Sequence, residues 1–195
     1  RTEMDERRKA RIDRLAELAN VGAGHAAGAF GQLVGETIRT EVPLLIEADP
    51  DSKAGSGRPQ SDEGFSGVFF EFEGCLDAIV AILFPRHSSE RLVRRILGIE
   101  HDTLELPLIE SALMEVGNIL ASHVASAIAD TLRERLLPSI PSLAMEAAEE
   151  TFDGWIDEKL GPEVLRIESR FHDDRFELEG RLVLVPTRDL PDGRA

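Results

Sequence analysis

The sequence has little of what disulfide, thiolate and polyanion-binding sites require. One cysteine, Cys75, occurs among the 195 residues, so an intramolecular disulfide and a thiolate metal cluster are both excluded. Lysine is scarce, and the formal net charge at pH 7 is −15. Because phosphate groups are bound by clustered basic side chains, this charge disfavours a general nucleic-acid binder and a protein that docks on an anionic membrane.

Membrane-spanning and cofactor-binding patterns are also missing. No apolar stretch has the length that a membrane span requires, and no signal-peptide pattern opens the chain. We therefore expect a cytoplasmic protein without membrane insertion. Gly22 and Gly24 do not belong to a dinucleotide-binding or Walker pattern, and the five histidines lack metal-ligand spacing. No cofactor or metal site of its own is predicted for the chain.

What the sequence does contain is one polar pattern that occurs twice. The pattern is Asp or Ser, then Glu four residues later, then Asn three residues later, with a proline 23 residues after the Asn. The matched positions are Asp13, Glu17, Asn20 and Pro43 in the first copy and Ser111, Glu115, Asn118 and Pro141 in the second. Aligning 13–43 with 111–141 without gaps gives nine identical positions of thirty-one. An internal duplication explains this, and function is sought where the two copies agree.

Each copy is predicted to place its polar residues on one face of a helix. Positions i, i+4 and i+7 share a helix face, and the apolar residues between them can pack against a sheet. The main candidate site residues are Glu17, Asn20, Glu115 and Asn118. The supporting candidates, one turn before each glutamate, are Asp13 and Ser111. Each supporting residue could orient its glutamate, cap the helix or contact solvent.

The remaining patterns predict an α/β fold with a pseudo-twofold internal repeat. The segment 5–35 is predicted to form one long helix or a broken pair of helices, 108–135 a second long helix, and 87–98 and 152–160 shorter ones. Strands are predicted near 38–48, 66–73, 76–84, 139–148, 162–171 and 175–186. These elements predict a sheet of about six strands, largely antiparallel, with the two long helices packed on one face. We expect a single domain over 1–195, with repeat halves at about 5–98 and 105–187 and a flexible loop over 48–64.

Other repeated residues are interpreted as scaffold. His25 and His123 match each other, but each lies five positions beyond its asparagine, about 140° around the helix. They are predicted to make packing or helix contacts rather than to act as catalytic bases. Pro43 and Pro141 are predicted to begin strands, where a missing N–H donor does least harm. Cys75 is predicted to be a small core residue.

The duplicated spacing resembles the active-site signature of the CheC-type chemotaxis phosphatases, a family that includes CheC, CheX and FliY. Both copies satisfy every fixed position, and the two-copy arrangement most resembles the two-site CheC type. The first copy departs from the family pattern at Ala19, where glycine is usual, whereas Gly117 keeps that glycine in the second. The resemblance covers nearly the whole chain, although the segment 48–64 is longer than the family plan requires.

The resemblance implies an enzyme, a protein aspartyl-phosphate phosphatase of two-component signalling. It would hydrolyse the phosphoaspartate of a CheY-like response regulator in chemotaxis. Asn20 or Asn118 would orient water for in-line attack, and Glu17 or Glu115 would contact the regulator's active-site lysine. Mg²⁺ would be held by the regulator, so the chain would need no metal of its own.

Two alternatives stay open. The chain could be a noncatalytic regulatory module that binds a response regulator or a CheD-like deamidase, and the resemblance implies a CheD-docking role for the helix near 152–160. It could also be a flagellar-switch component similar to FliY. The Glu and Asn present in both copies favour the enzyme, and the sequence leaves open whether the protein is a monomer or a homodimer.

Overall fold

A computed structural model describes residues 2–47, 64–161, 164–188 and 190 of the chain. The flexible loop predicted over 48–64 lies outside these residues except for Gly64. The elements are α1 (Thr2–Val34), β1 (Arg39–Thr40), β2 (Leu44–Glu47), β3 (Phe65–Gly74), β4 (Ala78–Pro85), α2 (Arg86–Leu97), α3 (Leu106–Leu132), β5 (Leu136–Pro138), β6 (Ser142–Ala144), α4 (Ala148–Leu160), β7 (Leu165–His172) and β8 (Glu179–Pro186).

Both predicted long helices form, each as one unbroken element, and they end in the same way. The residue after each helix has a left-handed backbone, with φ of 70° at Gly35 and 56° at Arg133. Its N–H donates to the carbonyl four residues earlier, that of Gly31 in α1 and that of Ala129 in α3. Glycine adopts this conformation freely, whereas other residues pay roughly 1 kcal/mol. The two copies thus keep one helix ending with different residues.

The sheet is antiparallel at every described strand pair and has six positions, in the order β1, β7, β8, β4, β3, β5. It contains eight strands, because β2 also pairs with β7 and β6 also pairs with β3. The strand predicted near 38–48 is split into β1 and β2, whereas the strand predicted near 139–148 is confirmed only over β6, and β5 lies just before that range. Pro43 and Pro141 lie immediately before β2 and β6, where the missing N–H interrupts no ladder. The predicted fold class is confirmed.

The two repeats exchange their edge strands. β1 and β2 follow α1 in the chain but pair with β7, while β5 and β6 follow α3 but pair with β3. The centre of the sheet is the antiparallel pair of β4 and β8, one strand from each repeat. Neither repeat alone contains all the strands that its own helix covers.

The core occupies both faces of the sheet because strand side chains alternate. All eight residues of β4 are buried. Val80, Ile82 and Phe84 belong to the cluster beneath α1, α2 and α3, whereas Ile79 and Leu83 belong to the cluster beneath α4. The long helices therefore cover one face, as predicted, and α4 covers part of the other.

Helix α4 begins four residues earlier than predicted and is held by apolar and ionic contacts. Its Phe152 and Ile156 are buried against the sheet. On its acidic side, Glu149 Oε1 lies 2.5 Å from Arg181 Nη1, and Asp153 pairs with Arg166 of β7. Because its apolar side chains are used inside the molecule, the surface that α4 leaves to a partner is largely acidic.

Helix α3 departs from the expectation that no apolar stretch has the length of a membrane span. Among the described helices, it is long and apolar enough to cross a membrane by length and composition alone. The length expectation was wrong because α3 carries so few charged residues. Half of its apolar window is buried inside the molecule, where Leu113, Leu120 and Val124 pack in the core. The composition of α3 therefore follows from its contacts with the sheet and with α1.

Cys75 is buried in the turn between β3 and β4, as predicted for a core residue. Burial raises the pKa of its thiol, and the nearby carboxylate of Glu134 raises this pKa further. A raised thiol pKa lowers the fraction of reactive thiolate at neutral pH. The cysteine is therefore a packing residue in this fold.

Gly117 marks the place where α3 lies closest to β3. A Cβ added to Gly117 would stand 2.6–2.8 Å from the side-chain carbons of Val68. At the matched position of α1, Ala19 is buried with its Cβ in place. Glycine is thus sterically required at this position in the second copy, whereas alanine is accommodated in the first.

We expect Gly117→Ala to destabilise the protein by about 1–3 kcal/mol, because overpacking outweighs the better helix propensity of alanine. Gly154→Ala in α4 is the matched control, since no atom lies within 4 Å of the added Cβ. The control should be stabilised by up to about 1 kcal/mol. Urea unfolding followed by circular dichroism measures both variants, and equal stabilisation of the two would contradict the close contact with Val68.

Candidate functional site

The four main candidate residues lie on the exposed faces of the two long helices. Glu17 and Asn20 are exposed near the middle of α1, and Glu115 and Asn118 are exposed near the middle of α3. Among the described residues, none of these four side chains forms a hydrogen bond or ion pair. The structure thus presents a carboxylate and an amide together on each helix, both available to a partner.

The backbone beneath each Glu–Asn pair is held by buried neighbours. Leu18 and Ala19 separate Glu17 from Asn20 and are both buried in the core. Val116 and Gly117 occupy the same places in α3, against the sheet. A site on packed helices keeps its geometry better than one on loops. The polar pairs therefore combine free side chains with a fixed main chain.

The supporting candidates lie on the same stripes, but neither caps a helix. Asp13 is exposed in the interior of α1, and Ser111 is exposed more than one turn inside α3. The N-cap residue of α3 is Glu105, which makes no side-chain capping bond. The capping interpretation is therefore wrong, and orientation of the following glutamate or contact with solvent remains.

The structure corrects the interpretation of the two matched histidines. His25 and His123 are exposed rather than packed, and neither makes a hydrogen bond or ion pair within the described part of the chain. Each lies just outside the buried arc of its helix, although its neighbours Ala26 and Val124 are buried. They also lie off the Glu–Asn stripe by helix geometry. The pattern of small residues around them suggested burial, but helix rotation places these two positions in solvent.

Three arginines of α2 make contacts within the chain. Arg95 Nε donates to the carbonyl oxygen of Val34 at 2.9 Å, which satisfies a free acceptor at the end of α1. Arg94 Nη1 donates to the Asp102 carbonyl at 3.0 Å, and Arg91 pairs with Glu177 at 3.0 Å. This cluster therefore stabilises helix ends and loops instead of forming a free cationic surface.

The segment after α1 runs back along the helix. At one end, the Ile38 side chain lies 3.6 Å from the point where a Cβ of Gly31 would stand. At the other end, Arg8 Nη2 lies 3.1 Å from Glu47 Oε1.

 This ion pair and the Ile38 contact hold the two ends of the segment beside α1. The loop that contains the proline of the pattern lies between these two contacts.

The length of this path indicates that Pro43 is level with Asn20 along the axis of α1. Asn20 is eleven residues before Gly31, which is about 16 Å along a helix that rises 1.5 Å per residue. Five extended residues beyond Ile38 also cover about 16 Å, and they end at Pro43. The spacing of 23 residues between Asn and Pro is therefore the length of the remaining helix, its turn and the returning strand.

The second copy follows the same path. Its helix has the same ending, and the same number of residues leads to Pro141, which indicates that Pro141 is level with Asn118 along α3. The residue before each proline was not singled out from the sequence, yet Val42 and Ile140 are both highly exposed. Their shared place before the matched prolines was the signal that could have identified them.

The Glu–Asn stripes lie on convex helix surfaces, away from two open clefts of the fold. One cleft of about 540 Å³ is lined by residues including Arg8, Glu47 and Val164, and another of about 650 Å³ by residues including Glu71 and Lys159. None of the four main candidates lines either cleft. Small-molecule sites are usually concave, so the exposed stripes are better suited to another protein.

The site residues are expected to contribute little to folding. Asn118→Ala should leave the free energy of unfolding unchanged or raise it by up to about 0.6 kcal/mol, because Asn is the poorer helix former. Leu113→Ala on the same helix should lower it by about 2–5 kcal/mol, since Leu113 is fully buried. Urea unfolding compares the two, and a loss above about 1 kcal/mol for Asn118→Ala would show that this side chain has a structural role.

Comparison with known proteins agrees with the repeated pattern. A protein-family model described as the CheC-like family matches residues 108–143. This stretch contains the whole second copy of the pattern, from Ser111 to Pro141. CheY-P phosphatase CheC from Bacillus subtilis (strain 168) is 29% identical over 189 residues, which cover 91% of this chain and 88% of that protein.

Solved structures share the fold. A chain of the CheX–CheY–BeF3–Mg²⁺ complex from Borrelia burgdorferi aligns with a TM-score of 0.63 and 12% identity, over 89% of this chain and 99% of that one. FliY from Thermotoga maritima aligns with a TM-score of 0.60 and 16% identity, over 91% of this chain and 90% of that one. At these sequence identities, the structural similarity shows a shared fold and nothing about function. The family-model match, the Bacillus relative and the shared fold together confirm the predicted resemblance to the CheC-like family.

Proposed function

We propose that this chain is a protein aspartyl-phosphate phosphatase that acts on a CheY-like response regulator in cytoplasmic chemotaxis signalling. The observation that carries the proposal is the Glu–Asn pair, exposed and without an intramolecular partner, on both long helices. The CheY-P phosphatase activity in the name of the Bacillus relative supports it, as does the presence of CheY in the Borrelia complex. The convex site surface also suits a protein substrate.

The asparagine amide is the proposed positioning group for water. An amide can both donate and accept a hydrogen bond, so it can hold a water molecule in line with the phosphorus–oxygen bond. Phosphoryl transfer depends mainly on positioning and charge stabilisation, and it requires no covalent nucleophile from the phosphatase. Asn20 or Asn118, carried on a fixed helix backbone, would supply this positioning.

The glutamate is the proposed docking charge. Glu17 or Glu115 would accept a charge-assisted hydrogen bond from the ammonium group of the regulator's active-site lysine. One helical turn separates the carboxylate from the amide, so both groups can reach one partner surface. Asp13 and Ser111, a turn further along, would support the orientation of the glutamate.

Mg²⁺ is proposed to be bound by the response regulator. Within the described residues, no group of three or more His, Cys, Asp or Glu side chains could hold a metal ion. The ion would stabilise charge on the phosphoryl oxygens, while this chain's amide orients the water. A CheD-like deamidase is a second proposed partner, for which α4 offers the largely acidic surface described above.

Loss of both asparagines should abolish the acceleration of phosphate release. We expect Asn20→Ala/Asn118→Ala to reduce the turnover of a phosphorylated cognate regulator by about 100-fold or more, because the water loses its positioning group. If the two copies act equally, each single substitution should leave about half of the rate. The rate of phosphate release at a saturating concentration of the phosphorylated regulator is measured for the double variant and for each single variant.

Gln32→Ala is the matched control, because it removes an exposed amide from α1 outside the stripe. Its turnover should equal that of the parent. An unchanged rate in the double asparagine variant would exclude the mechanism. Binding of the regulator by the parent without any release would instead favour a noncatalytic regulatory module.

Removal of the two glutamate charges should weaken regulator binding more than it slows chemistry. Glu17→Gln/Glu115→Gln keeps the side-chain shape, and we expect the KM to rise about tenfold with a smaller change in kcat. The KM should also depend less on salt, because an exposed charge pair is screened by ions. Steady-state release at low and high salt checks this, and a fall in kcat with unchanged KM would refute the docking role.

A further inference from the structure

Two aliphatic side chains that the proposed mechanism does not use are strongly exposed beside the two stripes. Val42 is 85% exposed and Ile140 is 89% exposed, more than any other large hydrophobic residue in the described part of the chain. They occupy the same place in the two repeats, one residue before Pro43 and Pro141. Single exposed hydrophobics are common on protein surfaces. A matched pair at one position of both copies calls for a shared cause.

The backbone holds both side chains in place. The N–H of Glu41 donates to the carbonyl of Arg170 at 2.8 Å, and the N–H of Ser139 donates to the carbonyl of Glu71 at 2.7 Å. Each bond ties the residue just before the aliphatic side chain to the neighbouring strand. The proline that follows restricts the backbone on the other side. The aliphatic residues are therefore presented by an ordered edge of the sheet.

By path length, each aliphatic residue is level with the asparagine of its own copy along the helix axis. The segment from Ile38 to Glu47 is held beside α1 at both ends, and the Val42–Pro43 loop lies between these contacts. The equal spacing in the second copy puts Ile140 level with Asn118 in the same way. A partner that covers the asparagine would therefore cover the aliphatic side chain as well, and its burial would add binding free energy.

We propose that Val42 and Ile140 are docking residues that seat an apolar patch of the response regulator beside the catalytic asparagine of the same copy. This inference rests on the proposed function and adds an apolar contact to the charge pair of the glutamate. The occupant is the regulator rather than a second copy of this chain. A symmetric dimer through one sheet edge would use one of the two residues, whereas the feature occurs at both edges, beside both stripes.

The test isolates one copy at a time. In the Asn118→Ala protein only the first copy is functional, and Val42→Ser there should raise the KM for phosphate release about five- to tenfold with kcat unchanged. In the Asn20→Ala protein, Ile140→Ser should have the same effect. Met4→Ser is the control, since Met4 is 76% exposed but lies sixteen residues before Asn20 on α1. It should leave the KM unchanged.

Three results would overturn the inference. The first is an unchanged KM for Val42→Ser and Ile140→Ser in proteins that still release phosphate. The second is an equal rise in KM when the serine substitution lies in the copy whose asparagine has been removed. The third is a change of oligomeric state, measured by sedimentation, that accounts for the loss.

A binding measurement separates this inference from the proposed function. If the parent releases no phosphate, the proposed function fails, and binding of the BeF3-loaded regulator still tests docking. The Val42→Ser/Ile140→Ser protein should then bind at least about fivefold more weakly than the parent, by the same burial argument. Equal affinity of the two proteins would overturn the docking role.

Discussion

Helices α1 and α3 bury one apolar arc each against the same face of the sheet, and this contact fixes the rotation of both helices. Leu15, Leu18 and Phe30 define the arc on α1 and are buried in the core. With that arc turned inward, Glu17 and Asn20 must face outward, because they lie on the other side of the helix. The segment that returns from α1 is in turn held beside the helix at Ile38 and Glu47.

The exchange of edge strands joins the two sites into one body. β1 and β2 close the sheet next to β7, and β5 and β6 close it next to β3. Each helix therefore rests on strands from both repeats, and each proline loop is hydrogen-bonded to a strand of the other repeat. A disturbance in one repeat reaches the edge that carries the site of the other. The two copies of the motif therefore belong to one sheet, in which each repeat supplies the edge strands of the other.

The two copies keep the site and differ in the scaffold. Gly117 is required by its contact with Val68, whereas the matched Ala19 packs with its Cβ. Gly35 ends α1 without strain, whereas Arg133 adopts the same left-handed backbone at a cost. Such local differences explain why few aligned positions are identical although both helices carry the same polar stripe.

The two long helices, most of the strands and the polar stripes could be predicted from the sequence, because periodicity sets the direction of neighbouring side chains within one element. It also predicted the burial of Cys75. The tertiary structure decided that the repeats exchange edge strands, that His25 is exposed, and that Glu47 pairs with Arg8 of α1. These features depend on contacts between residues far apart in the chain, which local patterns do not encode. The aliphatic residues before the prolines belong to this second group, since only the folded chain shows what lies beside them.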